Sequence, residues 1–435
     1  MHIKIICVIL WTAFSNRYHK RGRMLTKVWP ALHGRNLRYY LLGQVPSLAG
    51  TFLQNTAQSW LVYTISHSAY WVGFNAFLFY LPTMMLAPIG GIVIDRWSVR
   101  KILIATQCLA MTLAFILGFI VIENVPRLWI VNFFAFFLGA INAIDNPARQ
   151  SLVKEIVAEQ YRKSALAMNS AFYNLAVVAG PATAAFLIPK VGIGPTFILN
   201  GISFWGILAA LIFVIRPEYP SEKCFAHPLT ALVDGFNWIT RHPVVKRLLP
   251  LSGTTLLLGY SFRTILPIVA VETYHDGPRV YGILMSAAAF GALTGALANS
   301  FVSKRLAKAI GLTLACSSGL MGCSLLAFSI THTLAFGLGE LFLSGAGLMF
   351  SYPVIMAGLQ EYAANKNNML GRVMGWNTSM MFGGMMLGGF LNGLLAQHFG
   401  SQTTIGIGGG AALLLALLIF LERQRLQAPP GHIAL

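Results

Sequence analysis

Apolar residues along this chain run continuously for about twenty residues at a time, and polar residues gather between the runs. A helix needs a run of that length to cross the hydrocarbon core of a bilayer. Twelve such helices are predicted, at approximately 39–65, 70–94, 102–122, 127–148, 164–187, 192–215, 247–271, 280–302, 309–330, 334–356, 371–396 and 402–421. The longest hydrophilic stretch, 216–246, divides them into six and six. The expected organisation is a basic amino-terminal segment (1–38), a six-helix bundle (39–215), a linker (216–246), a second six-helix bundle (247–421) and a tail (422–435). Within the linker Leu229, Leu232, Val233, Phe236 and Ile239 recur at helical spacing, which predicts a short amphipathic helix along the membrane surface.

Composition agrees. Charged residues make up only 10 % of the chain, against about a quarter in soluble domains, so the partner of its surface is the lipid bilayer. The net charge of +18 would suggest nucleic acid if it covered one face of a soluble domain. Its distribution argues otherwise. With odd-numbered spans outgoing, Lys and Arg number eight before residue 39, then three, four, five, three and two in successive inner loops, and two in the tail. The outer loops hold only Arg127, Lys190 and Arg279. By the positive-inside rule both termini are expected in the cytoplasm, and no nucleic-acid partner is implied. The apolar stretch at 5–14 is too short to span and lacks a small-residue cleavage site, so it is not read as a signal peptide, and Met24 is an alternative start.

The sequence offers little for soluble-type chemistry. The five cysteines, at 7, 108, 224, 316 and 323, are isolated, and no HExxH, phosphate-loop or GxSxG pattern occurs. No cofactor or metal is expected, and the chain is not read as an enzyme. An enzyme acting on lipid would need a pair such as HxxxxD near the interface, which is absent.

The two halves repeat one another. SAYWVGFNAFLFYLPTMMLAPIGGIVIDRWSVRKI (68–102) is echoed by PRVYGILMSAAAFGALTGALANSFVSKRLAKAI (278–310), with Gly73 matching Gly282 and Asp95-Arg96 facing Lys304-Arg305. Two related six-helix halves with a site between them at the midplane make a transporter architecture. The loop after span two matches G-x-x-x-D-[RK]-x-G-x-[RK]-[RK] at Gly91, Asp95, Arg96, Arg100 and Lys101, with Ser98 in place of the second glycine. On that motif and the twelve spans the chain resembles the major facilitator superfamily. DNPARQSLV after span four, GPATAA in span five, DGFNWITRHPVVKRLL before span seven and GRVMG at span eleven make it similar to the branch of bacterial enterobactin exporters and macrolide-efflux-like proteins.

The resemblance implies an all-α membrane protein, twelve transmembrane helices in two pseudo-symmetric halves of the major facilitator fold, in the bacterial inner membrane. It implies a monomer that moves a small molecule by alternating access. Proton-coupled export of an amphipathic drug or siderophore is the leading expectation, with nutrient or metabolite import as the alternative. It also implies a conformational latch in the Gly91–Lys101 motif, where Asp95 meets the positive end of a facing helix and Arg96, Arg100 and Lys101 tie the halves together. Spans two, five, eight and eleven are expected at the contact between halves, where Gly180-Pro181-x-x-Ala184, Gly291-xxx-Gly295 and Gly384-xxx-Gly388 would allow close approach. The antiporter glycines after Gly180-Pro181 are replaced by Ala184-Ala185, and Ala135 stands where drug/proton antiporters carry an arginine.

Spans one, four, seven and ten should surround the cavity, and each carries a polar or small stripe at helical spacing. These are Ser47, Thr51, Gln54 and Gln58; Asn132, Ala135, Gly139, Asn142, Asn146 and Arg149; Ser252, Thr255, Gly259 and Arg263; and Glu340, Ser344, Gly347 and Ser351. Polar groups are costly in hydrocarbon, so the stripes face either a wet cavity or neighbouring helices. Thr51, Gln54, Gln58, Asn142, Thr255, Arg263, Glu340 and Ser344 are the candidate substrate-cavity residues, with Trp60, Tyr260 and Tyr352 as candidate aromatics. Arg263 and Glu340 lie at one depth, roughly 12 Å below the outer surface, so they are expected to pair, and Pro267 should bend span seven beside them. Glu340 and Asp145 are the candidate proton-coupling acids.

Overall fold

The computed structural model describes residues 34–219, 228–306, 309–364 and 369–426; the segment 5–14 and Met24 lie outside them. Spans one to six are α1 (Arg35–Ser66), α2 (Ala69–Arg96), α3 (Val99–Ile122), α4 (Leu128–Glu155), α5 (Arg162–Val191) and α6 (Ile193–Ala209), the last continuing as a π turn over Ala210–Val214. The amphipathic segment is α7 (Pro228–Arg241). Span seven is α8 (Val245–Gly259), a 3-10 turn (Ser261–Ile265) and α9 (Leu266–Glu272). Spans eight to twelve are α10 (Pro278–Leu306), α11 (Ile310–Phe328), α12 (Leu334–Ala364), α13 (Met369–Phe399) and α14 (Ser401–Leu421).

Among the described residues, 11 helical spans are long and apolar enough to cross a membrane. The exception is α1, which at 32 residues has the length but carries Gln44, Gln54, Asn55 and Gln58. It is wrapped by α5 and α6, and Gln54 and Gln58 find protein partners in Asn200 and the Val131 carbonyl, which is the condition for polar groups at membrane depth.

Helix contacts follow one scheme twice. In the first set α1 packs on α5, α2 on α4 and α3 on α4 and α6; in the second α8 packs on α13, α10 on α12 and α11 on α12 and α14. The sets meet along α2–α13 and α5–α10, the four spans expected there. The glycines work differently from expectation. Gly291 and Gly295 lie against the Phe342 and Ala346 carbonyls of α12, and Gly384 and Gly388 against Gly253 and Leu257 of α8, so they tighten the second set internally. The close crossings between sets are at the repeat-related pair: Gly73 against Gly389 and Gly393, and Gly282 against Pro181 and Ala185.

The apolar core divides unequally. At the end remote from the start of α1 and the finish of α14, a single cluster runs across both sets, from Leu53, Trp60 and Ala184 to Phe262, Tyr281 and Leu348. At the opposite, basic end there are two clusters. One, around Leu37, Leu103, Leu152 and Ile215, belongs wholly to the first set, and the other, around Val245, Leu314, Leu359 and Val373, to α7 and the second. Among the described residues, then, the halves share a core at the far end and keep separate cores at the basic end.

Candidate functional site between the two helix sets

The far end is sealed by specific contacts. Trp60 of α1 stacks on Tyr281 of α10 with ring centroids 6.0 Å apart, with Ser59 beside the Tyr281 ring. Ser68 donates to Gln397 Oε1 at 2.7 Å between the far ends of α2 and α13. Below this seal, aromatic side chains from both sets converge. Phe52 of α1 meets Tyr173 of α5 edge-on at 5.6 Å, and Tyr80 of α2 lies beside Tyr260 at the end of α8. The Tyr352 hydroxyl of α12 donates to Met381 Sδ of α13 at 3.1 Å, and Asn377 reaches Tyr352 and Met356. Tyr173 keeps 40 % of its surface exposed. Rings with hydroxyl tips and pliable thioethers suit an amphipathic ligand of irregular shape.

Two buried arginines flank the zone. Asp145 and Arg149 of α4 form an i,i+4 pair with Nε–Oδ2 2.5 Å. Asp145 Oδ1 also accepts from Thr106 and from Gln107 of α3, both at 2.7 Å, and Ser47 of α1 donates to Gln107 at 3.2 Å. Of its partners, the Arg149 guanidinium and the Gln107 amide nitrogen can only donate to the carboxylate. Arg263, only 6 % exposed, lies in the 3-10 turn that interrupts span seven, with Pro267 in the first turn of α9. It donates to the Ala288 carbonyl of α10 at 3.2 Å, and its Cζ sits 4.6 Å over the Tyr260 ring.

Arg263 and Glu340 do not pair as equal depth suggested. Glu340 accepts from Thr331 at 2.8 Å, in the loop before α12. Burial first, and the Glu340 carboxylate second, push the neighbouring Tyr274 hydroxyl up to about 12. The 3-10 turn advances each residue by about 120° rather than 100°, which turns Arg263 towards α10. Within the polar stripes, Gln54 and Gln58 serve helix contacts. Gln54 accepts from Asn200 of α6 at 2.7 Å, and Gln58 donates to the Val131 carbonyl of α4 at 3.4 Å. Thr255 and Ser344 are buried, and Thr51 bonds its own helix at Ser47. Asn142 is half-buried and bonds Leu138 of its own helix. In the loop motif, Arg100 donates to the Leu211 and Ile212 carbonyls at 2.6 and 2.9 Å. It closes the open carbonyls at the end of α6 in its own half and does not bridge the halves. Lys101 is exposed; the side chains of Asp95 and Arg96, with Gly91, lie outside the described residues.

A family model described as "Transmembrane secretion effector" matches residues 27–430. The chain belongs to that family of major facilitator transporters. This secretion-effector transporter is similar to the staphyloferrin A transporter of Staphylococcus aureus (strain NCTC 8325 / PS 47), at 22 % identity over 90 % of this chain and 97 % of that one. It is also similar to the enterobactin exporter EntS of Escherichia coli O1:K1 / APEC, at 23 % identity over 94 % and 96 %. Among solved structures the nucleoside transporter NupG superposes with a TM-score of 0.70 at 12 % identity, covering 89 % of this chain and 98 % of that one. A POT family transporter in complex with a thioalcohol-conjugated peptide gives 0.67 at 14 %, covering 91 % and 97 %. These structures establish the all-α major facilitator fold. The transporter's tyrosine zone was only partly legible: Tyr260 and Tyr352 stood out beside polar stripes, whereas Tyr80 and Tyr173 lie in spans two and five, where no polar stripe marks them.

Proposed function

We propose that this transporter exports an amphipathic small molecule of the siderophore or drug class across the inner membrane in exchange for protons, as a monomer with both termini in the cytoplasm. The observation that carries this reading is the unequal core: one shared cluster at the far end and two separate ones at the basic end. That is the shape of one state of an alternating-access cycle, open on the side that the basic residues assign to the cytoplasm. Substrate enters between the cores and meets Tyr80, Tyr173, Tyr260 and Tyr352. Siderophore-handling relatives that align over nearly the whole chain support the substrate class.

Asp145 is the coupling acid. In the state open to the cytoplasm it faces the Arg149 guanidinium and the Gln107 amide nitrogen, and the proposed cycle has it proton-free there while substrate loads. Protonation from the outer side in the opposite state would free Arg149. The test is uptake of fluorescent amphipathic compounds and catecholate siderophores into inverted vesicles, with and without an imposed proton gradient. Gradient-driven uptake that Asp145→Asn abolishes and Glu340→Gln leaves intact supports the reading. Loss in Glu340→Gln alone moves coupling to the far end, and no uptake in any variant turns the search to import.

A further inference from the structure

Arg149 and Arg263 are treated differently by the fold. Arg149 is matched by a carboxylate that two further side chains orient. Arg263 is as deeply buried, yet among the described residues no carboxylate lies within ion-pairing distance, and its Nε has no acceptor. A guanidinium cannot shed its proton to escape the cost of burial. An unmatched charge at membrane depth is expensive and marks a functional position. The protein supplies Arg263 with one peptide carbonyl and the face of Tyr260. Beside it is the Tyr80–Tyr260 pair, with Tyr173 within electrostatic reach of both rings.

We propose that Arg263 is the fixed counter-charge for an anionic small-molecule substrate, an organic oxyanion whose oxygens bond its free Nε and the hydroxyls of Tyr80 and Tyr260. Tyr80 stands on α2 and Arg263 on span seven, so one anion contacts both helix sets and draws them together as it binds. The selection is by charge; the tyrosine rings accept varied apolar frames. This substrate preference rests on the exporter reading above.

The test uses the purified full-length chain and two dyes that share a xanthene ring system, anionic fluorescein and cationic rhodamine 6G, with binding read by fluorescence polarisation. Wild type should favour fluorescein. Arg263→Gln should weaken fluorescein binding about tenfold or more, the range of a lost charge-assisted hydrogen bond, and leave rhodamine 6G unchanged or stronger. Arg263→Lys should retain part of the anion preference, which a merely structural arginine would not predict. Equal loss of both dyes in Arg263→Gln, unchanged binding of both, or absence of fluorescein binding by wild type overturns the proposal. Vesicle uptake separates the two readings. Gradient-driven rhodamine 6G transport without anion preference leaves the exporter and removes the anion site, whereas Arg263-dependent fluorescein binding without transport of either dye does the reverse.

Discussion

Replacing Gly73 with alanine should shift the transporter out of the state described here. An added Cβ would stand 2.8 Å from both the Gly389 carbonyl oxygen and the Gly393 Cα. Both are backbone atoms in helices, so neither can rotate aside. Ordinary contact needs about 3.5 Å, and α2 and α13 would have to part by roughly 0.7 Å at their crossing. Overpacking of this kind costs about 1–3 kcal/mol, and that cost falls only on the state in which the far end is closed. At about 1.4 kcal/mol per decade, the closed population drops roughly 5- to 150-fold relative to the alternative. Ser68 and Gln397, bonded at 2.7 Å in the closed far end, provide the assay. With native cysteines removed, Ser68→Cys and Gln397→Cys should be joined readily by a short bifunctional thiol reagent, and Gly73→Ala should depress both yield and rate. Gly282→Ala, whose Cβ would meet Ala185 Cβ at 2.6 Å and the Pro181 carbonyl oxygen at 2.7 Å, should do the same from the other crossing. An unchanged cross-linking rate in both variants would refute a closed crossing at these glycines.

Other perturbations should read out more locally. Asp145→Asn strands the Arg149 guanidinium and should destabilise the detergent-solubilised protein by about 3–5 kcal/mol, whereas Asp145→Asn with Arg149→Met should recover much of that loss in thermal melts. Arg100→Ala removes two charge-assisted bonds to the end of α6 and should cost about 1.5–3 kcal/mol without altering topology; a change in topology by glycosylation mapping would show that orientation, not capping, is its main role. The Arg372–Asp234 pair, at 3.2 Å with a half-buried arginine and an exposed carboxylate, should contribute about 1 kcal/mol or less, so Arg372→Ala is expected to leave melting within that range.

What the sequence could and could not reveal follows from what hydropathy measures. Span positions and the twofold repeat were legible because each span's length is set by the bilayer and each glycine of the pair Gly73 and Gly282 sits at the same point of its half. The direction of a polar stripe was not. Gln54 and Gln58 satisfy the same periodicity whether they line a cavity or, as here, bond Asn200 and Val131 on adjacent helices. Depth along an ideal helix put Arg263 level with Glu340, but the 3-10 turn changes the azimuth, and one-dimensional spacing does not register that rotation. Asp145, by contrast, was legible as a candidate because its arginine stands four residues on, one helical turn away.

The interruption of span seven has no counterpart in span one, where α1 runs unbroken for 32 residues through Pro46. A continuous helix transmits tilt as a stiff rod, whereas two segments joined by a short turn can also change the angle between them. The repeat therefore endows its halves with unequal freedom: the first can pivot, and the second can pivot and flex. The opposite state of the cycle need not be the present one with its halves exchanged, and coordinates generated by such an exchange would misplace residues 266–272 first.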